Sequence, residues 1–214
     1  MRTDNPYAPR MATGSRILPL TAILLVAAAL AAAFVVLRPE SRARGNLEGS
    51  SIGGEFLLTD ETGRPTRWSD FAGSWRLVYF GYTFCPDVCP VDTANMAAGL
   101  AAFEKAEPER GARVQPIFVT VDPARDTPAV LAEFTASFHP RLLGLTGSEE
   151  AIAATLEAFR VYARRVEGAS EGSYLVDHMA VVYLFDPAGK PIAFLAGPDA
   201  SPQAVTAMLE AHVR

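Results

Sequence analysis

Cysteine is almost missing from this 214-residue chain, which has two of them alongside three histidines. So few cysteines exclude a disulfide-dense mini-protein, and they leave too few ligands for a four-coordinate structural zinc site built from paired Cys and His clusters. Basic charge is scarce where a polyanion would need it. Residues 45–214 carry 13 basic and 22 acidic side chains, a net −9, whereas residues 1–44 carry six Arg against Asp4 and Glu40. An acidic main body argues against nucleic acid as a partner, because phosphate binding needs a basic face. The chain has no internal repeat and no low-complexity tract, and its apolar content of 50% excludes disorder and collagen-like structure. The stretch after position 44 suits one domain with a full core.

Charge is absent altogether from Ile17 to Leu37, a run of 21 residues. A helix of that length spans roughly 31 Å, about the thickness of a bilayer core. Ala31-Ala32-Ala33 offers the small residues of a signal-peptide cleavage site, but the apolar run continues through Phe34-Val35-Val36-Leu37. A signal h-region is usually ~7–15 residues, so the length favours an uncleaved signal anchor over a cleaved signal peptide. Three arginines lie on each side, so the positive-inside rule does not set the orientation. The expected organisation is a short cytoplasmic tail over 1–16, a transmembrane anchor over 17–37, a flexible Gly- and Ser-containing tether over 38–54 and a folded domain over 55–214. If the apolar segment is a Sec-type signal, the domain lies outside the cytoplasm.

Within the domain, Phe56–Thr59 and Pro65–Trp68 flank Asp60-Glu61-Thr62-Gly63 and read as a hairpin. Arg76–Gly81 and Val114–Val121 are near-continuous apolar runs of the kind found in buried parallel strands. Helices are expected over Val91–Ala106, from Thr127-Pro128 to about Phe138, from Ser148 to about Arg160, and from Ser201-Pro202 to about Val213. Cys89-Pro90, Thr127-Pro128 and Ser201-Pro202 share one start signal, because proline at the first helical position gives up only an orphan N–H. Val161–Val166 is a further candidate strand, and Ala180–Phe185 and Pro191–Leu195 return on each other across Asp186-Pro187-Ala188-Gly189. Alternating strands and helices, closed by a hairpin and a last helix, point to an α/β sheet with helices on both faces. The order is that of a thioredoxin-like domain with extra elements.

Both cysteines fall in Cys85-Pro86-Asp87-Val88-Cys89, after a buried strand and before a helix. Ligand sites in open α/β sheets form beyond the carboxyl ends of strands. A helix N-terminus also stabilises a thiolate and lowers its pKa. The pair is therefore placed for thiolate chemistry, redox or metal-binding. A disulfide serving stability alone is a poor alternative, since it closes only a tiny loop. Thiolates prefer soft ions; two Cys and one His would make a trigonal Cu(I) site, and an added weak ligand would admit Cu(II). Three histidines compete for the third position. His139 follows a helix, where it could interact with the C-terminal dipole; His212 is in the last turn of the chain; His178 leads into the Ala180–Phe185 strand and has a slight edge.

The segments Ile52–Phe56, Tyr79-Phe80-Gly81-Tyr82-Thr83-Phe84-Cys85-Pro86-Asp87-Val88-Cys89-Pro90, Val121-Asp122-Pro123-Ala124-Arg125-Asp126-Thr127-Pro128 and Tyr174-Leu175-Val176-Asp177-His178 resemble, in order and spacing, the Sco/SenC family of membrane-anchored copper proteins. The resemblance runs from about Ile52 to the final helix. It implies a thioredoxin-like fold behind one N-terminal transmembrane helix, in the cell inner membrane with the domain on the periplasmic side. It implies copper held jointly by Cys85, Cys89 and His178. It further implies a part in assembling the dinuclear copper centre of cytochrome c oxidase subunit II, or service to another extracytoplasmic copper acceptor, as copper carrier, as thiol–disulfide reductant of the acceptor's cysteines, or both. The alternative is a thiol–disulfide oxidoreductase with no carrier role, using Cys85 and Cys89 as its redox pair. A peroxidase on the same fold is the weakest choice, because no dedicated peroxide-activating arrangement is visible.

One departure from the family pattern is Met179, where a small polar residue is expected. Its thioether could be an adventitious soft ligand or pack in the core; alternation along an extended segment turns it away from His178 and favours core packing. Asp87 and Asp177 adjoin the ligands and are candidates to orient His178 or to add negative charge for a cation. Asp122 and Asp126 lie at the end of the Val114–Val121 strand, with Asp126 read as support for the turn ahead of Thr127.

Overall fold

The computed structural model describes residues 45–168 and 173–214, together with Ile23. The chain divides into two units, Met1–Ser41 and Arg42–Arg214. The expected anchor over 17–37 lies outside the described residues apart from Ile23; among the described residues no helix is long and apolar enough to cross a membrane.

The second unit is organised on one strand. β3 (Trp75–Gly81) is buried at every position, as a near-continuous apolar strand must be when its sheet is covered on both faces. β4 (Val114–Thr120) pairs parallel with β3, and β5 (Leu143–Thr146) pairs parallel with β4. On the other side of β3, β8 (Val181–Phe185) and then β9 (Pro191–Ala196) pair antiparallel. β1 (Leu57–Asp60) and β2 (Pro65–Arg67) complete the far edge, giving the order β2-β1-β5-β4-β3-β8-β9. This is the mixed α/β, thioredoxin-like arrangement expected.

Two strands stand apart. β6 (Ala163–Glu167) and β7 (Tyr174–His178) form their own antiparallel hairpin, with Ala163 opposite His178.

α1 (Val88–Ala106) leaves the C-terminal end of β3 and packs on α5 (Pro202–His212). Gly99 permits the close approach: a Cβ there would stand 2.6 Å from the Cβ of Val205. α2 (Pro108–Gly111) is a single turn, α3 (Pro128–Ala136) links β4 to β5, and α4 (Glu149–Ala158) follows β5. Thr127, Ser148 and Ser201 cap α3, α4 and α5, each accepting the N–H three residues ahead.

α1 begins differently from the expected pattern. Its N-cap is Asp87, which makes no side-chain capping bond, so Pro90 is the third helical residue and not the first. The first four helical N–H groups are all orphans, so proline is tolerated at the third position too. The shift places Cys89 inside the first turn. A second difference concerns residues 45–54, read as part of the tether. They lie on the domain: Leu47 is buried and donates its N–H to the Ile192 carbonyl at 3.0 Å, and Gly53 donates to the Ala158 carbonyl at 2.9 Å.

Candidate metal centre

Cys85 lies in the loop that leaves β3, and Cys89 in the first turn of α1; both are free thiols. Cys85 Sγ accepts the Cys89 backbone N–H at 3.4 Å. Burial by itself raises the Cys85 pKa, but the N–H groups of Cys89 and Asp87 outweigh it and hold this thiol below its ordinary value. Cys89 behaves in the opposite way: it is fully buried, and burial pushes its thiol up to about 12. The lowered pKa expected of a thiol at a helix start therefore applies to Cys85 alone. Cys85 faces the helix N–H groups, whereas the Cys89 sulfur is tucked against the end of β3, where a Cβ added to Gly81 would lie 3.2 Å from it.

His178 comes to this sulfur from the separate hairpin. Its Nε2 is 3.1 Å from Cys89 Sγ, and its Nδ1 is 3.2 Å from the Met179 carbonyl oxygen. A carbonyl only accepts, so Nδ1 carries the proton and Nε2 turns its lone pair toward the sulfur. Burial lowers the His178 pKa, which favours the neutral ring that a metal ligand requires. Tyr79 and Tyr82 meet the ring edge to face, with centroids at 6.5 and 5.8 Å.

The three residues singled out from the sequence are thus neighbours, in two steps. Cys89 touches His178 by side chain, and Cys85 touches Cys89 through both the backbone N–H and the sulfur. Among the described residues, no three Cys, His, Asp or Glu side chains converge on one point as they stand. The donor set itself, two sulfurs and one unprotonated imidazole nitrogen, suits a soft monovalent cation.

The other histidines are elsewhere. His139 is buried with Nε2 at 3.2 Å from Glu104 Oε2, and Arg141 engages the same carboxylate. It pairs with a charge rather than with the helix dipole expected for it. His212 is half-buried at the end of α5. Met179 is not core: alternation does turn it from His178, but that face at the end of β7 meets solvent, and the side chain is 42% exposed. Asp87 and Asp177 are both exposed, with Asp177 opposite Arg164 in the hairpin register.

Residues not singled out from the sequence support the site. The Tyr79 hydroxyl donates to the buried Asp92 at 3.1 Å. Asp92 lies three residues after Cys89, hence on the same helix face, a spacing visible in the sequence. The Tyr82 hydroxyl accepts the Val176 N–H at 3.2 Å, tying β7 to the cysteine loop. Asp126 does more than support a turn. Fully buried, it accepts the Thr83 N–H at 3.1 Å and the hydroxyls of Thr83 and Thr120, each at 2.6 Å, anchoring the loop that carries Cys85.

A strand-end dithiol with a histidine brought to it on a separate hairpin defines a thioredoxin-like thiol protein with soft-metal donors. The chain belongs to the SCO1/SenC family, whose model matches residues 44–214. The mitochondrial SCO2 homologue of Bos taurus is 42% identical over 196 residues, covering 88% of this chain and 71% of the bovine protein. Protein SenC of Rhodobacter capsulatus is 44% identical over 138 residues, covering 64% of this chain and 60% of its own length. The structure of Bradyrhizobium japonicum ScoI with copper bound is 38% identical, with a TM-score of 0.66 over 74% of this chain and 98% of that one.

Proposed function

We propose that this chain is a membrane-anchored copper chaperone. It holds Cu(I) as cargo through Cys85, Cys89 and His178 and passes it to the dinuclear copper site of cytochrome c oxidase subunit II, or to another extracytoplasmic acceptor. The observation that carries this reading is the 3.1 Å approach of His178 Nε2 to Cys89 Sγ, with Nδ1 occupied by the Met179 carbonyl. Two sulfurs and one unprotonated imidazole nitrogen are a donor set that suits Cu(I). The copper bound in Bradyrhizobium ScoI supports the same cargo. Cys85, the more exposed sulfur, is the one an incoming acceptor ligand meets first, and its neighbours in sequence Phe84 and Val88 are exposed. An anchor over 17–37 in the inner membrane would keep the domain on the periplasmic side, beside a membrane-bound acceptor.

A second reading has its own observation. A half-buried thiol of lowered pKa beside a fully buried one is the arrangement of an attacking and a resolving cysteine. The Cys85 thiolate would attack an acceptor disulfide, and Cys89 would displace the mixed disulfide. The acceptor then leaves as a dithiol and Cys85–Cys89 remains oxidised.

A Cu(I) competition titration of the reduced protein, with His178→Ala beside it, tests the first reading. One copper per chain is expected, with affinity at least about tenfold weaker in the variant and disulfide formation unchanged. Equal affinity in the variant overturns the ligand set. No tight copper, with a readily reversible Cys85–Cys89 disulfide, leaves the oxidoreductase.

A further inference from the structure

We propose that Arg125 is a positioning residue for His178, clamping the β6–β7 hairpin against the cysteine loop. The proposal rests on His178 being a copper ligand. Among the described residues β6 and β7 pair only with each other; Met179 and Ala180 join His178 to β8 of the main sheet, and the rest of the hairpin is left to side-chain contacts. One of these is the Val176 N–H bond to the Tyr82 hydroxyl; several others gather on Arg125.

The Arg125 guanidinium lies 3.7 Å from the Tyr174 ring centroid and 4.9 Å from that of Phe84. Its Nη1 donates to the Tyr174 carbonyl at 3.1 Å. Its Nε pairs with Asp122 Oδ2, while Asp122 Oδ1 accepts the Tyr174 hydroxyl at 2.8 Å. Tyr174 opens the strand that ends at His178, and Phe84 immediately precedes Cys85. One cation thus touches the strand of one ligand and the neighbour of another. The planar guanidinium can stack on a ring and donate in its own plane at the same time, which a lysine ammonium cannot. Arg125 Nη2 is buried and finds no hydrogen-bond partner.

The test is a double-mutant cycle on Cu(I) affinity, by competition titration of the reduced full chain, using Arg125→Ala, His178→Ala and the pair together. Arg125→Ala is expected to weaken Cu(I) binding about ten- to hundredfold. Tyr174→Phe, which loses the Asp122 bond and keeps the stacked ring, is expected to lose less. In the His178→Ala background, Arg125→Ala should cost nothing more, because the residue it acts through is gone. Unchanged affinity in Arg125→Ala, or a loss that persists in full without His178, overturns the proposal. If Arg125→Ala does not fold, Arg125→Lys carries the same cycle. The ¹⁵N resonances of the His178 ring give a readout independent of copper. They mark a single Nδ1–H tautomer in the wild type, and that signature is expected to blur in Arg125→Ala; an unaltered signature also overturns the proposal. Should His178→Ala leave copper affinity unchanged, the ligand assignment fails, and the ring signature still decides the clamp.

Discussion

Cys89 donates its backbone N–H to the Cys85 sulfur across 3.4 Å, so the first turn of α1 closes on a thiol where α3, α4 and α5 close on a hydroxyl. The bond is one-directional in its effect. It steadies negative charge on Cys85, while Cys89 is buried behind it. Two cysteines four positions apart thereby acquire opposite chemical characters.

That asymmetry predicts selective labelling. Iodoacetamide added to the reduced, folded protein at pH 7 should alkylate Cys85 at least about tenfold faster than Cys89, since the thiolate is the nucleophile and only Cys85 is accessible. Mass spectrometry of quenched digests measures the two rates. Equal rates would show that the helix turn does not separate the thiols.

Asp126 should matter for stability beyond its own turn. Asp126→Ala strips the acceptor from Thr83 and Thr120, and bonds to a charged group contribute about 1.5–3 kcal/mol each. The bonds share one carboxylate and are not additive, so a loss of about 3 kcal/mol is expected in urea unfolding at an unchanged m-value. A loss below about 0.5 kcal/mol, the range of ordinary surface changes, would mean that the loop holds itself.

Asp60 should make stability fall in acid. Burial alone raises its pKa, but the Thr62 hydroxyl at 2.6 Å, the N–H groups of Thr62 and Arg64, and the Arg64 guanidinium bring it from 3.8 down to about 2. A folded value below the unfolded one stabilises the protein fully above the unfolded pKa, and that contribution is lost as pH falls through about 2. Wild type and Asp60→Asn, unfolded in urea across this acid range, should differ most at the upper end and converge at the lower. A gap that stays constant with pH would contradict the assignment.

The strands of the main sheet are legible in the sequence because burial on both faces demands unbroken apolar runs, as in Leu77–Phe80 and Ile117–Val119. The Ser/Thr-Pro helix starts are legible because capping is local. What depends on distant partners is not. Val161–Val166 shows a strand, but nothing in it states that the strand will pair outside the sheet. Cys85 and Cys89 announce their chemistry by proximity. His178, 89 positions from Cys89, has only a slight edge from its place ahead of a strand and stands out clearly through the family resemblance. Asp126 reads as a turn residue because its turn is adjacent and Thr83 is 43 positions away. The raised pKa of Cys89 is hidden for a different reason: Pro90 invites a helix start two residues late, which leaves Cys89 outside the turn that buries it.

The detachment of β6 and β7 from the seven-stranded sheet gives the molecule two separate scales of rigidity. Drawing His178 away from Cys89 ruptures no ladder of the central sheet; it breaks the Val176–Tyr82 bond and uncovers Val176 at the margin of the core. It requires that a two-stranded arm lift, a sub-global opening whose free energy can lie below that of unfolding. A carrier must grip its cargo and also let go of it. If the proposed carrier role holds, letting go would draw on this hairpin, so that the ease of release could be adjusted by substitution there without softening the strands that present the thiols.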